Sequence, residues 1–257
     1  MSRLAALLVA VAALPVALAA ARATHPAPAP SSPEGLALAE DLRSAKPTEN
    51  LEVKGWIRLR DAEGRRSRTP FRYRVEVGEQ SWRSVYETSG EGPLPAERLV
   101  VIHANTAPNR YELSRASGAG AASPGPEVLT GDQAMIPFAG ADFWLADLGR
   151  EFLWWPEHRI VEEARIKMRK GRPCKVLESR NPQPDAKGYT RVRSWIDTKT
   201  GGIIIAEAYG PDGKLMKEFE IGGLTKVNEV WELKDMEMRN ARTDSQTVFE
   251  FKYEKKE

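Results

Sequence analysis

Most of this chain alternates apolar and polar residues with a period of two, and that alternation restricts its fold more than any other feature. The segment EVKGWIRLR places four apolar or small residues at alternate positions: Val53, Gly55, Ile57 and Leu59. FRYRVEV repeats the pattern over residues 71–77, and DAEGRRSR between them has the composition of a turn, so the two segments predict a hairpin. The pattern is typical of an antiparallel sheet with one apolar face and one face in water.

Similar segments continue to the end of the chain and predict about a dozen strands. Before them, SPEGLALAEDLRSAKP predicts a short amphipathic helix with apolar positions at Leu36, Leu38 and Leu42. A segment rich in Gly, Ala, Ser and Pro, RASGAGAASPGPEVLTGDQ, predicts a long loop. A one-sided sheet of this size has more apolar surface than two short helices can cover. It therefore either curls around itself or encloses a cavity.

The aromatic segment ADFWLADLGREFLWWPEHR departs from the alternation. We expect a helix over residues 141–155, with Asp142 as its N-cap and with the following proline as its end. Five apolar residues would share one stripe of this helix: Trp144, Leu145, Leu148, Phe152 and Trp155. Asp147, Arg150 and Glu151 would lie on the opposite side. The stripe fits a core helix, whereas the aromatic residues outside it favour a wider apolar surface that meets a ligand.

The start of the chain, MSRLAALLVAVAALPVALAAARA, has the pattern of a secretory signal peptide: an early arginine, an apolar run and small residues at its end. We predict a signal peptide over 1–23, a Pro/Ser-rich spacer over 24–34 and a single domain over 35–257. Cleavage would remove two arginines from the 38 Lys and Arg residues, which leaves 36 against 36 Asp and Glu residues. Such a neutral surface argues against a nucleic-acid partner.

Residues with catalytic or metal-binding chemistry are few in this sequence. The chain has three histidines and a single cysteine, Cys174, and it contains no G-x-S-x-G, no H-E-x-x-H and no cysteine pair. His158 and Glu162 would share a face only on a helix, and the neighbouring Ile and Val residues favour a strand. We therefore expect no catalytic site, no metal site and no cofactor, and we expect Cys174 to be buried and unreactive.

Four residues of the aromatic segment match a D-[FL]-x-x-x-D-L pattern: Asp142, Phe143, Asp147 and Leu148. GRPCKVLES and YTRVRSWIDTKTGGIIIAEAYGPDGKLMKEFEI follow it. Over residues 50–255 these motifs resemble the outer-membrane lipoprotein-sorting proteins, the LolA-like periplasmic carriers. The resemblance implies a mainly β (α+β) fold, in which a curved antiparallel sheet forms an incomplete β-barrel covered by short helices. It also implies a monomeric, non-enzymatic periplasmic carrier of lipid or lipoprotein acyl chains, with an inner-membrane transporter and an outer-membrane acceptor as partners.

In such a carrier, apolar residues of the aromatic segment and of the first strands would line one lipid-binding cavity. The predicted lipid-binding residues are Ile57, Leu59, Phe71, Tyr73, Val75, Trp82, Tyr86, Phe143, Trp144, Leu148 and Phe152. The alternative is a signalling or structural module on the same fold, whose cavity is filled by its own side chains and whose partner is a protein. A secreted hydrolase is disfavoured because no nucleophile and base are recognisable together in the sequence.

Overall fold

The structure is a computed structural model that describes residues 31–104, 106–116, 125–161, 167–184, 187–227 and 230–253. The predicted signal peptide, most of the predicted spacer, and Glu162 lie outside the described residues. Within the described part, fourteen strands form a single antiparallel sheet. In chain order they are β1 Leu51–Arg60, β2 Arg66–Val77, β3 Ser81–Thr88, β4 Glu97–Ala104, β5 Arg110–Arg115, β6 Glu127–Thr130, β7 Glu157–Ile160, β8 Lys167–Arg169, β9 Arg172–Arg180, β10 Arg191–Asp197, β11 Ile203–Tyr209, β12 Leu215–Val227, β13 Val230–Asn240 and β14 Ser245–Lys252.

The strand order explains how the chain builds this sheet. The order is β6-β5-β4-β3-β2-β1-β14-β13-β12-β11-β10-β9-β7, with β8 paired to β9. The chain starts in the middle at β1, extends one wing to β6, crosses to the opposite edge at β7 and returns to the middle as β14. The two edge strands are not paired with each other among the described residues, so the curved sheet stays unclosed. The predicted hairpin is confirmed, since β1 pairs with β2 over its whole length.

Alternate residues of each strand face the core or the solvent, as the sequence predicts. In β1, Val53 and Ile57 are 3% and 0% exposed, whereas Lys54 and Arg58 lie in solvent. The larger core packs the inner face of β1–β5, β13 and β14 against residues 129–148. A second core packs β9–β11 against two short helical segments. The outer face carries mostly charged side chains, and a third, smaller apolar cluster also forms on β9–β11, with Cys174, Val176, Trp195, Ile204 and Ile205 as its buried members.

The predicted amphipathic helix is present as α1, Pro33–Ser44, and Ser32 caps it by accepting a hydrogen bond from the Gly35 amide at 3.0 Å. Of the predicted apolar positions, Leu42 is buried and Leu38 packs against the second core, whereas Leu36 is 45% exposed and Gly35 is buried instead. Close packing decides this orientation: a Cβ on Gly35 would lie 2.5 Å from the Arg159 Cα of β7. The helix therefore turns its glycine, and not Leu36, towards the sheet.

The prediction of one helix over 141–155 is wrong. The segment forms helix α2, Leu145–Gly149, and a separate 3-10 turn, Glu151–Trp154, after an earlier 3-10 turn at Gly131–Ala134. Arg150 separates them, since its φ of 55° and ψ of 44° place it in the left-handed region. A glycine usually takes the left-handed position at the end of a helix. Here the glycine stands one residue before it, because a Cβ on Gly149 would lie 2.2 Å from the Tyr111 hydroxyl. None of the helices in the described ranges is long and apolar enough to cross a membrane.

Candidate functional site

An apolar pocket lies between the inner face of β10–β13 and the helical cover, and its volume is about 370 Å³. The cover contributes Leu42 and Ala45 from α1 and Phe152 from the 3-10 turn. The sheet contributes mostly apolar side chains: Val192, Ile203, Ala206, Ala208, Phe219, Ile221, Leu233 and Met238. The pocket exists because the inward positions of β11 carry two alanines, whose small side chains do not reach the cover. A volume in this range is typical of small-molecule sites.

Three ionisable residues also line the pocket: Asp147, Arg150 and Lys217. Lys217 is only 2% exposed, and its Nζ donates to the Asp142 carbonyl at 2.6 Å and lies 3.5 Å from Asp147 Oδ2. The same Nζ lies 3.7 Å from the ring centroid of Trp144. Burial lowers the pKa of Lys217 to about 8, against the opposing attraction of the two aspartates. Lys217 therefore remains protonated near neutral pH and is held by a complete set of partners.

Asp147 is the counter-charge of Lys217 and also the start of helix α2. Its Oδ2 accepts from the Trp144 amide at 2.8 Å, which satisfies a free N–H at the helix start, and from the Tyr189 hydroxyl at 3.2 Å. Trp144 stacks on Tyr189 with 4.6 Å between ring centroids. Asp142, the predicted N-cap, instead accepts from two hydroxyls on β14, of Ser245 and Thr247. The helix that would have placed Asp147 opposite the apolar stripe does not form, and Asp147 instead faces Lys217 and Tyr189.

Arg150 and Glu151 were also expected opposite the apolar stripe, and both point into the protein. Glu151 is 4% exposed, accepts from the Tyr111 hydroxyl at 2.8 Å, and has a pKa raised by burial. Arg150 is partly buried, and its Nη1 donates to the carbonyl of Leu42 at 3.5 Å. Burial lowers the pKa of Arg150 from its usual value. The left-handed backbone at Arg150 produces this inward turn, which no helical wheel predicts.

The fold also brings together Ser84, His103 and Asn109, which are distant in sequence and all buried. Ser84 Oγ lies 3.3 Å from His103 Nε2, and His103 Nδ1 lies 3.0 Å from Asn109 Oδ1. This order is that of a nucleophile, a base and an orienting group. However, Ser84 is 2% exposed, and burial lowers the pKa of His103 to about 3, far below the value that suits a general base. The arrangement fits a structural network that fixes β3, β4 and β5.

Two buried histidines should make the protein sensitive to acid. Burial lowers the pKa of His103 to about 3 and that of His158 to about 4, so both stay neutral in the folded protein while the unfolded chain binds protons below its ordinary pKa of 6.5. We expect the free energy of unfolding to fall by about 1.4 kcal/mol per pH unit for each histidine as the pH drops from 6 to 5.

Urea denaturation at a series of pH values measures the slope of the free energy of unfolding against pH. This slope should be shallower in the His103→Gln and His158→Gln variants. A slope that is unchanged in both variants would contradict the assignment.

The structure places the predicted lipid-binding residues in different surroundings. Five lie in the larger core: Ile57, Phe71, Tyr86, Phe143 and Leu148. Leu59 and Tyr73 pack against that core, Val75 is buried, Trp82 stacks on His103 and Trp144 stacks on Tyr189. Phe152 lines the pocket. Contact of this set with lipid stays a prediction. Sequence reasoning missed Ala206, Ala208 and Lys217, although the small residues in IIIAEAY are a sign of space on that strand.

Comparison with solved structures places the fold among the LolA-like proteins. A domain assigned as an outer membrane lipoprotein-sorting protein from Vibrio parahaemolyticus matches with a TM-score of 0.66 and 17% identity, over 86% of this chain and 91% of that one. A DUF1329 family protein from Desulfovibrio piger matches with a TM-score of 0.65 and 14% identity, over 85% and 90%. A LolA superfamily protein from Nitrosomonas europaea matches with a TM-score of 0.54 and 16% identity, over 86% and 92%. The predicted LolA-like incomplete barrel is thus confirmed.

Sequence comparison adds the family. No curated protein matches the chain. A family model described as "-like: Uncharacterized protein" matches residues 125–256, which include the helical cover after β6 and all strands from β7 to β14. Because this match covers more than half of the chain, the protein belongs to that family.

Proposed function

We propose that the protein is an exported, non-enzymatic carrier that binds an acyl chain of a lipid or lipoprotein in the pocket under α1. The observation that carries the proposal is the apolar pocket of about 370 Å³ between the sheet and its cover. Most of its walls are apolar side chains such as Phe152, Phe219 and Leu233. Two of its three ionisable residues, Asp147 and Lys217, are paired with each other. Binding rather than catalysis is the chemistry that such walls support.

Hydrophobic burial supplies the affinity that a carrier needs. One buried methylene contributes about 0.8 kcal/mol, so eight of them contribute roughly 6 kcal/mol before the costs of association. An acyl chain would lie along β11–β13, where most of the inward residues that line the pocket are apolar and Lys217 is the charged exception among them. The costs of association reduce this figure, and the weak binding that results suits a carrier that must also release its cargo.

Export and partners complete the proposal. The amino-terminal pattern of residues 1–23 supports cleavage by the export machinery and a periplasmic location. The Vibrio parahaemolyticus domain, whose description names lipoprotein sorting, supports the same cargo class. Transfer would then need a donor and an acceptor, and we keep the inner-membrane transporter and the outer-membrane acceptor as the partners proposed from the family resemblance.

A second candidate is a signalling or structural module with a protein partner. One observation favours it: the inner side chains of the wing β1–β6 pack on one another, as in the pair Tyr73 and Tyr86 with 4.9 Å between ring centroids. That wing is filled by its own residues, whereas the apolar pocket lies under β10–β13. A carrier would therefore bind its cargo in the other half of the sheet, and a signalling or structural module would leave this pocket empty.

Filling the pocket separates the two candidates. Ala206→Phe places a ring in the space beside Phe219, and we expect the affinity for a fluorescent acyl probe to fall at least about tenfold while the thermal midpoint stays the same or rises. Val128→Phe adds the same ring at a residue that is 51% exposed and outside the pocket, so its affinity should equal that of the wild type. Equal loss in both variants, or no binding by the wild type, would contradict the carrier.

A further inference from the structure

The charges that face the pocket do not balance. Asp147 and Lys217 neutralise each other, because Lys217 Nζ lies 3.5 Å from Asp147 Oδ2 and each also has other partners. Arg150 then remains as a third charge, and no carboxylate of the described residues lies within 4.0 Å of it. The nearest acidic residue in sequence, Glu151, is engaged with Tyr111 instead. The lining of the pocket therefore carries a surplus of one positive charge.

The hydrogen bonds of Arg150 are also incomplete. A guanidinium has five N–H donors, and within the described ranges Arg150 makes one long hydrogen bond, to the Leu42 carbonyl at 3.5 Å. The side chain is partly buried, and its remaining N–H groups are not among the buried groups without a partner, so they face open space beside the apolar lining. An acceptor that enters the pocket with a negative charge could pair with these donors.

The backbone of Arg150 holds the side chain in this place. The left-handed conformation costs an ordinary residue about 1 kcal/mol or more, and such strain persists only where the surroundings hold it. The residue joins α2 to the 3-10 turn, so its side chain leaves the cover towards Leu42 of α1. The guanidinium thus lines the pocket together with apolar side chains such as those of Phe219 and Leu233.

We propose that the pocket selects single-chain amphiphiles with a carboxylate head group, which Arg150 binds through paired N–H donors while the acyl tail lies along β11–β13. This inference rests on the proposed carrier function and adds the head group that the carrier recognises. A carboxylate fits better than a phosphate monoester, because it carries one charge, equal to the surplus, and because its two oxygens match the planar guanidinium. The small volume fits one tail.

The test compares three ligands with the same tail and different head groups. Titration calorimetry below the micelle concentration measures binding of dodecanoate, dodecanol and dodecyl phosphate to the full mature chain. We expect dodecanoate to bind about tenfold or more tightly than dodecanol, because a hydrogen bond to a charged group contributes that much. Arg150→Met should remove this preference, and Arg150→Lys should keep part of it.

Arg43→Met is the matched control. Arg43 also joins the two parts of the cover, since its Nη1 donates to the Leu153 carbonyl at 2.7 Å and its guanidinium lies 4.8 Å from the ring centroid of Trp154, but it does not line the pocket. The Arg43→Met variant should prefer dodecanoate over dodecanol as strongly as the wild type does. Equal binding of dodecanoate and dodecanol by the wild type would overturn the head-group inference alone, and tightest binding of dodecyl phosphate would overturn its carboxylate assignment. Absence of binding by all three ligands would overturn the carrier itself.

Discussion

Replacing Glu178 by glutamine should lower the free energy of unfolding by about 3–5 kcal/mol, as expected when one member of a buried ion cluster is removed. Glu178 lies on the outer face of β9 with its side chain fully buried beneath arginines. Its Oε1 lies 2.8 Å from Arg159 Nη2 and 2.8 Å from Arg180 Nε, and its Oε2 lies 2.8 Å from Arg193 Nε. Without the carboxylate these arginines would face one another with no counter-charge.

The titration of Glu178 agrees with this expectation. Burial alone would raise its pKa, but the hydrogen bonds from Arg193, Arg180 and Arg159 lower it to about 2. A carboxylate whose folded pKa is lowered stabilises the protein above its ordinary pKa of 4.5, and the stabilisation is lost as the pH falls towards 2. Denaturant unfolding at pH 7 measures the full effect, and at pH 2 the difference between Glu178→Gln and the wild type should become much smaller.

Glu87→Gln is the control for Glu178→Gln. Glu87 also accepts from two arginines, Arg74 at 3.1 Å and Arg98 at 3.0 Å, but its side chain is 26% exposed. Because water screens such pairs, we expect a loss of about 1 kcal/mol or less. Similar losses in the two variants would mean that burial of the carboxylate is not what makes the Glu178 cluster stabilising.

Gly55→Ala should destabilise the protein by about 4 kcal/mol or more, which is the range of severe overpacking. Gly55 lies in β1 at the middle of the sheet, opposite Phe71 of β2 and Phe251 of β14. A Cβ there would lie 2.0 Å from the backbone carbonyl oxygen of Glu250 and 2.7 Å from a ring carbon of Phe71. The backbone oxygen cannot move away without breaking the pairing of β1 with β14, which joins the two wings.

Thermal and urea unfolding measure the loss, and Gly202→Ala is its matched control. A Cβ on Gly202 would meet only Thr200 Oγ1, at 3.6 Å, which is an ordinary contact. We expect a change within about 0.5 kcal/mol for this variant. If Gly55→Ala were equally mild, the close approach of β1 and β14 would not be a requirement of the fold.

The sequence alone determined those features that depend on neighbouring residues. Alternation in EVKGWIRLR and FRYRVEV predicted the β1–β2 hairpin because side chains of a strand point to opposite faces in turn. The apolar positions and the following Pro47 predicted α1 for the same local reason. Motifs on β9–β12 added the resemblance that anticipated the incomplete barrel. Each of these signals lies in a short segment of the chain, so it can be recognised without knowing which other segments its residues contact.

Tertiary structure decided the pocket and its charges, because both depend on which segments meet. Gly149 lies close to Tyr111, the left-handed position falls at Arg150, and a side chain expected opposite the apolar stripe turns inward. The pocket lies under β10–β13 and not under the first strands, because Ala206 and Ala208 of β11 oppose α1 across the fold. Periodicity identifies a buried face but not the volume left between two such faces. That volume is set by contacts between residues far apart in sequence, which only the folded chain brings together.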